Sequence, residues 1–194
     1  MPADYIAPGR KLLWPGLITA AVLAATALVL HAEGRLWLCS CGYLLLWTGN
    51  AWSADNSQHL SDPYSFTHVL HGFIFCWLLW LLFPRWKLGW RFVAAISIEA
   101  LWEVFENSAY VIERYRAATA ALGYQGDTVV NSLGDILFCA AGFLLAERLG
   151  FRRSLIIFFL TEAVLLILIR DSLLLNILML LYPLDSIKAW QAGH

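Results

Sequence analysis

Charged residues are scarce in this chain, and neither sign of charge dominates it. Only 14% of its 194 residues are charged, against about 25% in soluble domains. The formal net charge of −1 gives no indication of nucleic-acid binding. Hydrophobic residues make up 60% of the sequence, and the mean hydropathy is +0.66. This composition argues against an ordinary soluble domain and is typical of a helical membrane protein with several spans.

Several familiar motifs are also missing. The N-terminus lacks the pattern of a cleavable signal, and the residues HAEGR after the first apolar run contain no small-residue cleavage site, so we expect this run to remain as a span. No phosphate-binding glycine loop and no serine in a nucleophile elbow is present. Of the four cysteines, Cys76 and Cys139 fall in apolar runs, and the C-x-C spacing of Cys39 and Cys41 is too close for an easy disulfide.

The apolar runs predict an all-α polytopic membrane bundle of about five transmembrane helices, formed by a single integral membrane domain over residues 1–194. The predicted spans are about 14–31, 66–83, 91–110, 128–146 and 154–169. An outer-side loop covers 35–65. Within it, 35–47 is apolar but short, and we favour a surface or half-inserted element over a true span. Residues 173–181 are too few to span and are expected to be re-entrant or interfacial.

Lysine and arginine set the orientation. With five spans, three clusters of basic residues fall on one side: Arg10, Lys11, Arg85, Lys87, Arg91, Arg148, Arg152 and Arg153. The positive-inside rule then places this side and the N-terminus in the cytoplasm. We infer a multi-pass protein of the bacterial inner (cytoplasmic) membrane.

Three carboxylates lie on one stripe of the third predicted helix. Glu99, Glu103 and Glu106 are spaced i, i+4, i+7 and fall within about 60° of one another. Each ionised carboxylate near the middle of a bilayer costs roughly 2.5–3.5 kcal/mol. No basic residue lies between Phe92 and Asn107, so the compensation has to be a metal, a proton or a cation from another helix.

The predicted orientation gathers further polar side chains at the outer ends of three helices. The second helix begins near His68 and His71, and the fourth presents Asp127, Asn131 and Asp135 within about 80°. Carboxylates and imidazoles from facing helices are the ligand set of Zn, Mn or Fe. We therefore predict metal ligation by Glu103, Glu106, Asp127, Asp135 and His68. Catalytic roles are predicted for His68, His71 and Glu103, and substrate binding for Arg114, Arg116, Asn107 and Asn131.

Each of these assignments has a structural alternative. Buried glutamates are also stable when they are protonated and hydrogen-bonded, or paired with Arg114 or Arg116. Asp127 follows a glycine and precedes a threonine, which is a good helix start, so it also suits a capping role. The two histidines also suit capping at the interface. The sequence leaves the cofactor open between a divalent metal and none.

Four motifs in order resemble an uncharacterised family of bacterial inner-membrane proteins with a domain of unknown function. They are NSQHLSDPYSFTHVLHG from residue 56, EALWEVFEN from 99, ERYRAAT from 113 and GYQGDTVVNSLGD from 123. The resemblance covers about 35–149, and a looser likeness extends to VanZ-like and YjdF-like membrane proteins. It implies that the predicted histidines, acids and Asn131 form one site, but it implies no reaction.

Three functions follow from these observations. The first is a metal-dependent hydrolase or transferase acting on a lipid or lipid-linked substrate, with Arg114 and Arg116 holding the headgroup. The second is a non-catalytic small subunit of a larger membrane complex, with protein partners and a protonated structural network of acids. The third is an ion or proton pathway along Glu99, Glu103 and Glu106, although only Ser97 continues it toward the cytoplasmic side. Membrane lipid is the expected partner in the first case.

Overall fold

The computed structural model describes the backbone of residues 10–120 and 123–193 and the side chains of 13–120 and 123–193. Its described residues form helices and no strand, which confirms the predicted all-α class. The helices are α1 (Arg10–Ala32), α2 (Ser65–Leu82), α3 (Leu88–Glu106), α4 (Ala109–Ala118), α5 (Val129–Leu149), α6 (Phe151–Ile169), α7 (Leu173–Leu181) and α8 (Asp185–Ala192).

Three helices of the described chain, α1, α2 and α5, are long and apolar enough to cross a membrane. A fourth span results if α6 and α7, which bend by 72° at their junction, count as one. Helix α3 has 19 residues, which at 1.5 Å per residue is about the thickness of the hydrocarbon core. Its apolar character is interrupted by Arg91, Glu99 and Glu103, all of which are buried against neighbouring helices. The structure is therefore compatible with the predicted helical membrane bundle.

The third helix begins and ends earlier than the predicted span 91–110. Helix α3 runs from Leu88 to Glu106, and α4 begins at Ala109 after two intervening residues. Ser108 caps α4 because its side chain accepts a hydrogen bond from the Val111 amide. The intervening Asn107 uses its side chain to bind Asp127, so local capping and a tertiary contact end the helix.

Two other segments, residues 35–47 and α7, have the kind of structure that was predicted for them. Residues 35–47 form turns and bends without a helix, which excludes a helical span there. Helix α7 is short, as expected, and its first amides are capped by Glu162 of α6. The Glu162 carboxylate accepts from the Leu173 amide at 2.9 Å and from the Leu174 amide at 3.1 Å.

The centre of the bundle is the contact between α2 and α5, which glycines bring close together. A Cβ placed on Gly72 of α2 would lie 2.1 Å from the Cys139 carbonyl oxygen, and one on Gly142 of α5 would lie 2.1 Å from the Val69 carbonyl oxygen. Small residues of this kind allow helix backbones to approach closely in membranes. Helix α3 packs against α2, α5 and α1, and α6 packs against α2 and α5. This arrangement brings the N-terminal ends of α2 and α5 beside the C-terminal half of α3.

Replacing Gly72 by alanine is expected to destabilise the bundle, because the new methyl group meets backbone rather than a movable side chain. Overpacking costs about 1–3 kcal/mol, which corresponds to a fall in melting temperature of roughly 2–12 °C for a chain of this size. Thermal unfolding in detergent measures it. Gly16→Ala in α1 is the control, since its added Cβ meets no described atom within 4 Å. Equal melting of the two variants would contradict the close α2–α5 packing.

The predicted orientation is testable with alkaline phosphatase, which is active only outside the cytoplasm. We expect high activity for a fusion after Gly123, before α5, and low activity for a fusion after Gly150, between α5 and α6, because the cluster of Arg148, Arg152 and Arg153 immediately flanks the second position. The reverse pattern would overturn the orientation.

Candidate functional site

Side chains from the N-terminal part of α2 and the C-terminal half of α3 form a buried histidine–glutamate cluster. His68 Nδ1 lies 2.6 Å from Glu99 Oε1, and His71 Nδ1 lies 3.0 Å from Glu99 Oε2. Glu99 is fully buried. The carboxylate therefore orients both imidazoles through charge-assisted hydrogen bonds.

His68 also connects this cluster to α5. Its Nδ1 lies 3.3 Å from Glu103 Oε1, and its Nε2 lies 3.8 Å from Asp135 Oδ2. Asp135 accepts a 2.7 Å hydrogen bond from the Ser65 hydroxyl at the start of α2. One imidazole thus lies among three carboxylates from two helices.

A second acidic cluster lies toward the outer end of α3. Asp127 accepts hydrogen bonds from the Asn107 amide nitrogen at 3.0 Å and from the Tyr124 hydroxyl at 3.0 Å. Glu106 accepts from the Tyr115 hydroxyl at 2.8 Å. Burial and the neighbouring Glu106 charge raise the pKa of Asp127 to about 7. Burial next to Asp127 and Glu106 also raises the pKa of Tyr124, so this phenol stays a hydrogen-bond donor.

Local sequence explains why these side chains converge. The Thr128 side chain caps α5 by accepting from the Asn131 amide, which fixes the helix start beside Asp127. A Cβ on Gly134 would lie 2.1 Å from the Leu60 carbonyl oxygen, so only glycine lets the loop before α2 pass this close to α5. Ser65 and Asp135 are then within hydrogen-bonding distance.

Glu103 is the acid of the site whose carboxylate oxygens both lack hydrogen-bond donors in the described part of the chain. It is fully buried, yet neither carboxylate oxygen has a hydrogen-bond partner among the described residues. The contact of His68 with Glu103 is close enough for an ion pair, but it lacks hydrogen-bond geometry. A buried carboxylate without donors is costly. Its oxygens are therefore available to a proton or a cation.

Glu103 links two sets of potential metal ligands. One set consists of His68, Glu103 and Asp135, and another of Glu103, Glu106 and Asp127. Within each set, the ligand atoms lie within 4.8 Å of one another. His68, His71 and Glu99 form a third such set. The structure therefore brings together all five residues predicted as metal ligands.

A large cavity, with a volume of about 1350 Å³, opens beside these clusters. His68, His71, Glu106, Asp127 and Asp135 line its polar part. Its other side is lined by apolar side chains of α2 and α3, among them Ile74, Phe75, Ile98, Leu101 and Phe105. Glu99 and Glu103 do not line it but lie behind the two histidines. The cavity therefore has a polar region, lined by acids and histidines, and an apolar region, lined by side chains of α2 and α3.

The four residues predicted to bind substrate lie outside this cavity, each with a structural partner. Arg114 Nε donates to the Leu180 carbonyl at 2.8 Å, and Arg116 Nε donates to the Tyr124 carbonyl. Asn107 binds Asp127, and Asn131 donates to the His59 carbonyl at 2.8 Å. Substrate binding by any of them stays a prediction.

Some residues of the site were not predicted as site residues from the sequence. Glu99 was predicted to share the stripe of Glu103 and to belong to an ion pathway, but not to bind the two histidines, as it does in the structure. Tyr115 and Tyr124 donate to the acids from α4 and from the loop before α5. Tyrosine is common near membrane surfaces, so these two carried no distinguishing signal.

The expectation that Cys39 and Cys41 stay unpaired is wrong. The structure joins them in a disulfide, with their Cα atoms 5.1 Å apart. The chain turns sharply here, and Gly42 adopts a φ of 85°, which favours glycine. The turn brings the two Cα atoms within the range that a disulfide requires.

Comparison with known proteins decides the family. The family described as "Protein of unknown function (DUF2585)" matches residues 30–193. The chain belongs to this family. It is 46% identical over 177 residues to a UPF0314 protein of Brucella anthropi, covering 91% of this chain and 90% of the relative. A UPF0314 protein of Rhizobium meliloti is 48% identical over 184 residues, covering 95% and 93%. No solved structure matches.

These matches confirm the resemblance to an uncharacterised bacterial family. A third relative, a UPF0314 protein of Paracoccus denitrificans, is 47% identical over 179 residues, covering 92% of this chain and 93% of the relative. Together with the apolar helices, the bacterial relatives identify a membrane protein of bacteria. The looser likeness to VanZ-like and YjdF-like proteins stays a prediction.

Replacing Glu99 by glutamine is expected to destabilise the protein, because an uncharged amide cannot hold both imidazoles as the carboxylate does. Removing one partner of a buried ion pair typically costs about 3–5 kcal/mol. Thermal unfolding of the purified variant measures the loss. Glu113→Gln is the matched control, since Glu113 is exposed on α4. Wild-type melting of Glu99→Gln would show that the pair contributes little.

Proposed function

We propose that this protein is a metal-dependent hydrolase or transferase of the bacterial inner membrane that acts on a lipid or lipid-linked substrate. The observation that carries the proposal is Glu103, a fully buried carboxylate whose two oxygens have no hydrogen-bond donor among the described residues. A metal ion supplies the missing positive charge in a way that no described neighbour does.

The surrounding donors suit such an ion. Glu103 shares one ligand set with His68 and Asp135, and the other with Glu106 and Asp127. Carboxylate oxygens with a single imidazole are typical ligands of Mn, Fe or Zn. Because both sets include Glu103, this residue would contribute a ligand to either set if an ion were bound there. A bound ion would activate water or polarise a phosphoryl oxygen.

His71 has the position of an acid or base. It belongs to neither ligand set that contains Glu103, it lines the cavity, and its Nδ1 is held by Glu99 at 3.0 Å. That contact leaves Nε2 to exchange a proton with a group in the cavity. An imidazole is suited to this role because its ordinary pKa is near neutrality.

The apolar flank of the cavity supports a lipid substrate. Ile98, Leu101 and Phe105 line the cavity and are also 41%, 71% and 51% exposed on α3. In a membrane, this surface faces acyl chains. A substrate with a hydrocarbon tail is therefore able to enter from the side and bring its headgroup to the acids. Arg114 and Arg116 act on the headgroup only if they leave their main-chain partners.

The alternative is a non-catalytic subunit of a larger membrane complex with a protonated network of acids. It is favoured by the hydrogen bonds that already satisfy several carboxylates, such as those from Asn107 and Tyr124 to Asp127 and from Tyr115 to Glu106. Protein partners would then cover the exposed apolar surface. Glu103 is the residue that separates the two functions, because a metal site needs its oxygens as ligands, whereas a protonated network needs only a proton on one of them.

Elemental analysis of the detergent-purified protein tests the proposal. We expect about one or two equivalents of a transition metal in the wild type, and their loss in Glu103→Gln, because the amide removes the ligand shared by both sets. Metal-loaded protein is then assayed for turnover of membrane phospholipids and lipid-linked phosphates.

Glu113→Gln is the control and should keep the wild-type metal content. Equal metal content in wild type and Glu103→Gln, or no metal in either after incubation with Zn²⁺, Mn²⁺ or Fe²⁺, would overturn the metal-dependent mechanism. Stable co-purification with a large partner would then favour the subunit function.

A further inference from the structure

The loop between α1 and α2 holds a second group of reactive side chains, separate from the acids of the bundle. It contains the Cys39–Cys41 disulfide, in which Cys41 is exposed and Cys39 is half-buried. Sulfur, nitrogen and oxygen atoms of Cys39, Cys41, His59 and Asp55 all lie within 4.8 Å of one another. Neither the family match nor the proposed metal site uses them.

His59 is oriented within this group by the backbone. The ring is 1% exposed, stacks on Tyr43 with centroids 5.1 Å apart, and accepts a 3.3 Å hydrogen bond from the Leu45 amide at Nδ1. Because Nδ1 accepts, the neutral ring carries its proton on Nε2. That buried Nε2 has no hydrogen-bond partner among the described residues and lies 3.5 Å from Asp55 Oδ1. This Nε2–H group is a hydrogen-bond donor, and one ring nitrogen of His59 lies within 4.8 Å of both sulfurs.

We propose that Cys39 and Cys41 are a redox-active pair that exchanges disulfides with cysteine thiols of proteins on the outer side of the membrane. Two neighbours favour the thiolate that exchange releases. The Cys41 amide donates to Cys39 Sγ at 3.1 Å, and a ring nitrogen of His59 lies within 4.8 Å of the same sulfur. Hydrogen-bond donors lower the pKa of a thiol and so make it a better leaving group.

The exchange balances without another reactant. A substrate thiol loses its proton to water and attacks the exposed Cys41 Sγ, the Cys39–Cys41 bond breaks, and Cys39 leaves as a thiolate. The second substrate thiol also loses its proton to water, attacks its own sulfur in the mixed disulfide and releases Cys41 as a thiolate. The substrate dithiol is oxidised to a disulfide, and the two cysteine thiolates take up from water the two protons that the substrate lost. Asp55 Oδ1, 3.5 Å from His59 Nε2, helps to orient the ring.

The location agrees with this chemistry. The positive-inside rule places the loop outside the cytoplasm, where disulfides persist. Both cysteines also line the wide cavity, so a partner's thiol is able to reach them.

Single-turnover exchange in the full-length, detergent-purified protein tests the proposal. The oxidised protein is mixed, without oxygen, with a reduced peptide that carries two cysteine thiols. The peptide disulfide formed and the new maleimide-reactive thiols are counted by mass. We expect one equivalent of peptide disulfide and two new thiols in the wild type, and none in the Cys39→Ser/Cys41→Ser variant.

Two variants identify the role of the neighbours. His59→Gln should slow exchange about ten-fold while leaving the final yield of peptide disulfide unchanged, because it removes the imidazole of His59 and leaves both sulfurs in place. Ser40→Ala, between the cysteines, is the matched control and should exchange at the wild-type rate. If His59→Gln fails to fold, Asp55→Asn is the second variant and should also slow exchange.

Three results would overturn the proposal. A disulfide that the peptide does not reduce in the folded protein would be purely structural. Two free thiols with one equivalent of Zn²⁺ would show that the group is a metal site. Exchange at the wild-type rate in both His59→Gln and Asp55→Asn would show that the sulfurs act without these neighbours.

Discussion

The constraint on which this structure depends is the burial of several carboxylates inside an apolar bundle with no lysine or arginine paired to them in the described chain. Glu99, Glu103 and Asp135 lie between α2, α3 and α5, and Glu106 and Asp127 lie just beyond them. Within the described chain, the ion pairs of these acids are all with histidine, and the one arginine pair, Arg91 with Glu147, is elsewhere. Protons or bound cations therefore have to offset most of the negative charge. This requirement is the reason to treat the acids as the candidate site.

The architecture around the acids is consistent with this requirement. Close α2–α5 packing through Gly72 and Gly142 excludes lipid and water from one side of the cluster. On the other side, the two histidines separate Glu99 and Glu103 from the cavity. The break after Glu106 lets Asn107 turn to Asp127 and lets α4 present Tyr115 to Glu106. The same break that shortens α3 thus supplies hydrogen-bond donors to the outer acids, while Glu103, one turn deeper, receives none.

Much of the fold was predictable because apolar runs and basic loops are direct consequences of the membrane as a solvent. The approximate positions of the five long helices and the short character of α7 followed from length and hydropathy alone. The convergence of His68, Glu103 and Asp135 was also predictable, because each lies at the same end of its span. What the sequence did not reveal depends on tertiary contacts. The end of α3 at Glu106, the bonds from Arg114 and Arg116 to main-chain carbonyls and the Cys39–Cys41 pairing all depend on local turns that hydropathy does not encode.

Glu103 distinguishes the two ways in which such a cluster is stabilised. A proton neutralises one carboxylate and needs an acceptor for the new O–H group, and the nearest candidates are themselves acids that already receive donors, such as Asp135 from Ser65. A divalent cation neutralises two carboxylates at once and uses the lone pairs that Glu103 leaves free. If such a cation were bound, Glu103 would belong to both ligand sets, and Asp127 and Glu106 would keep the hydrogen bonds from their tyrosines. The Glu103 oxygens without donors among the described residues and the cavity beside the same group of acids are therefore the two observations that support the proposed metal-dependent reaction on a lipid.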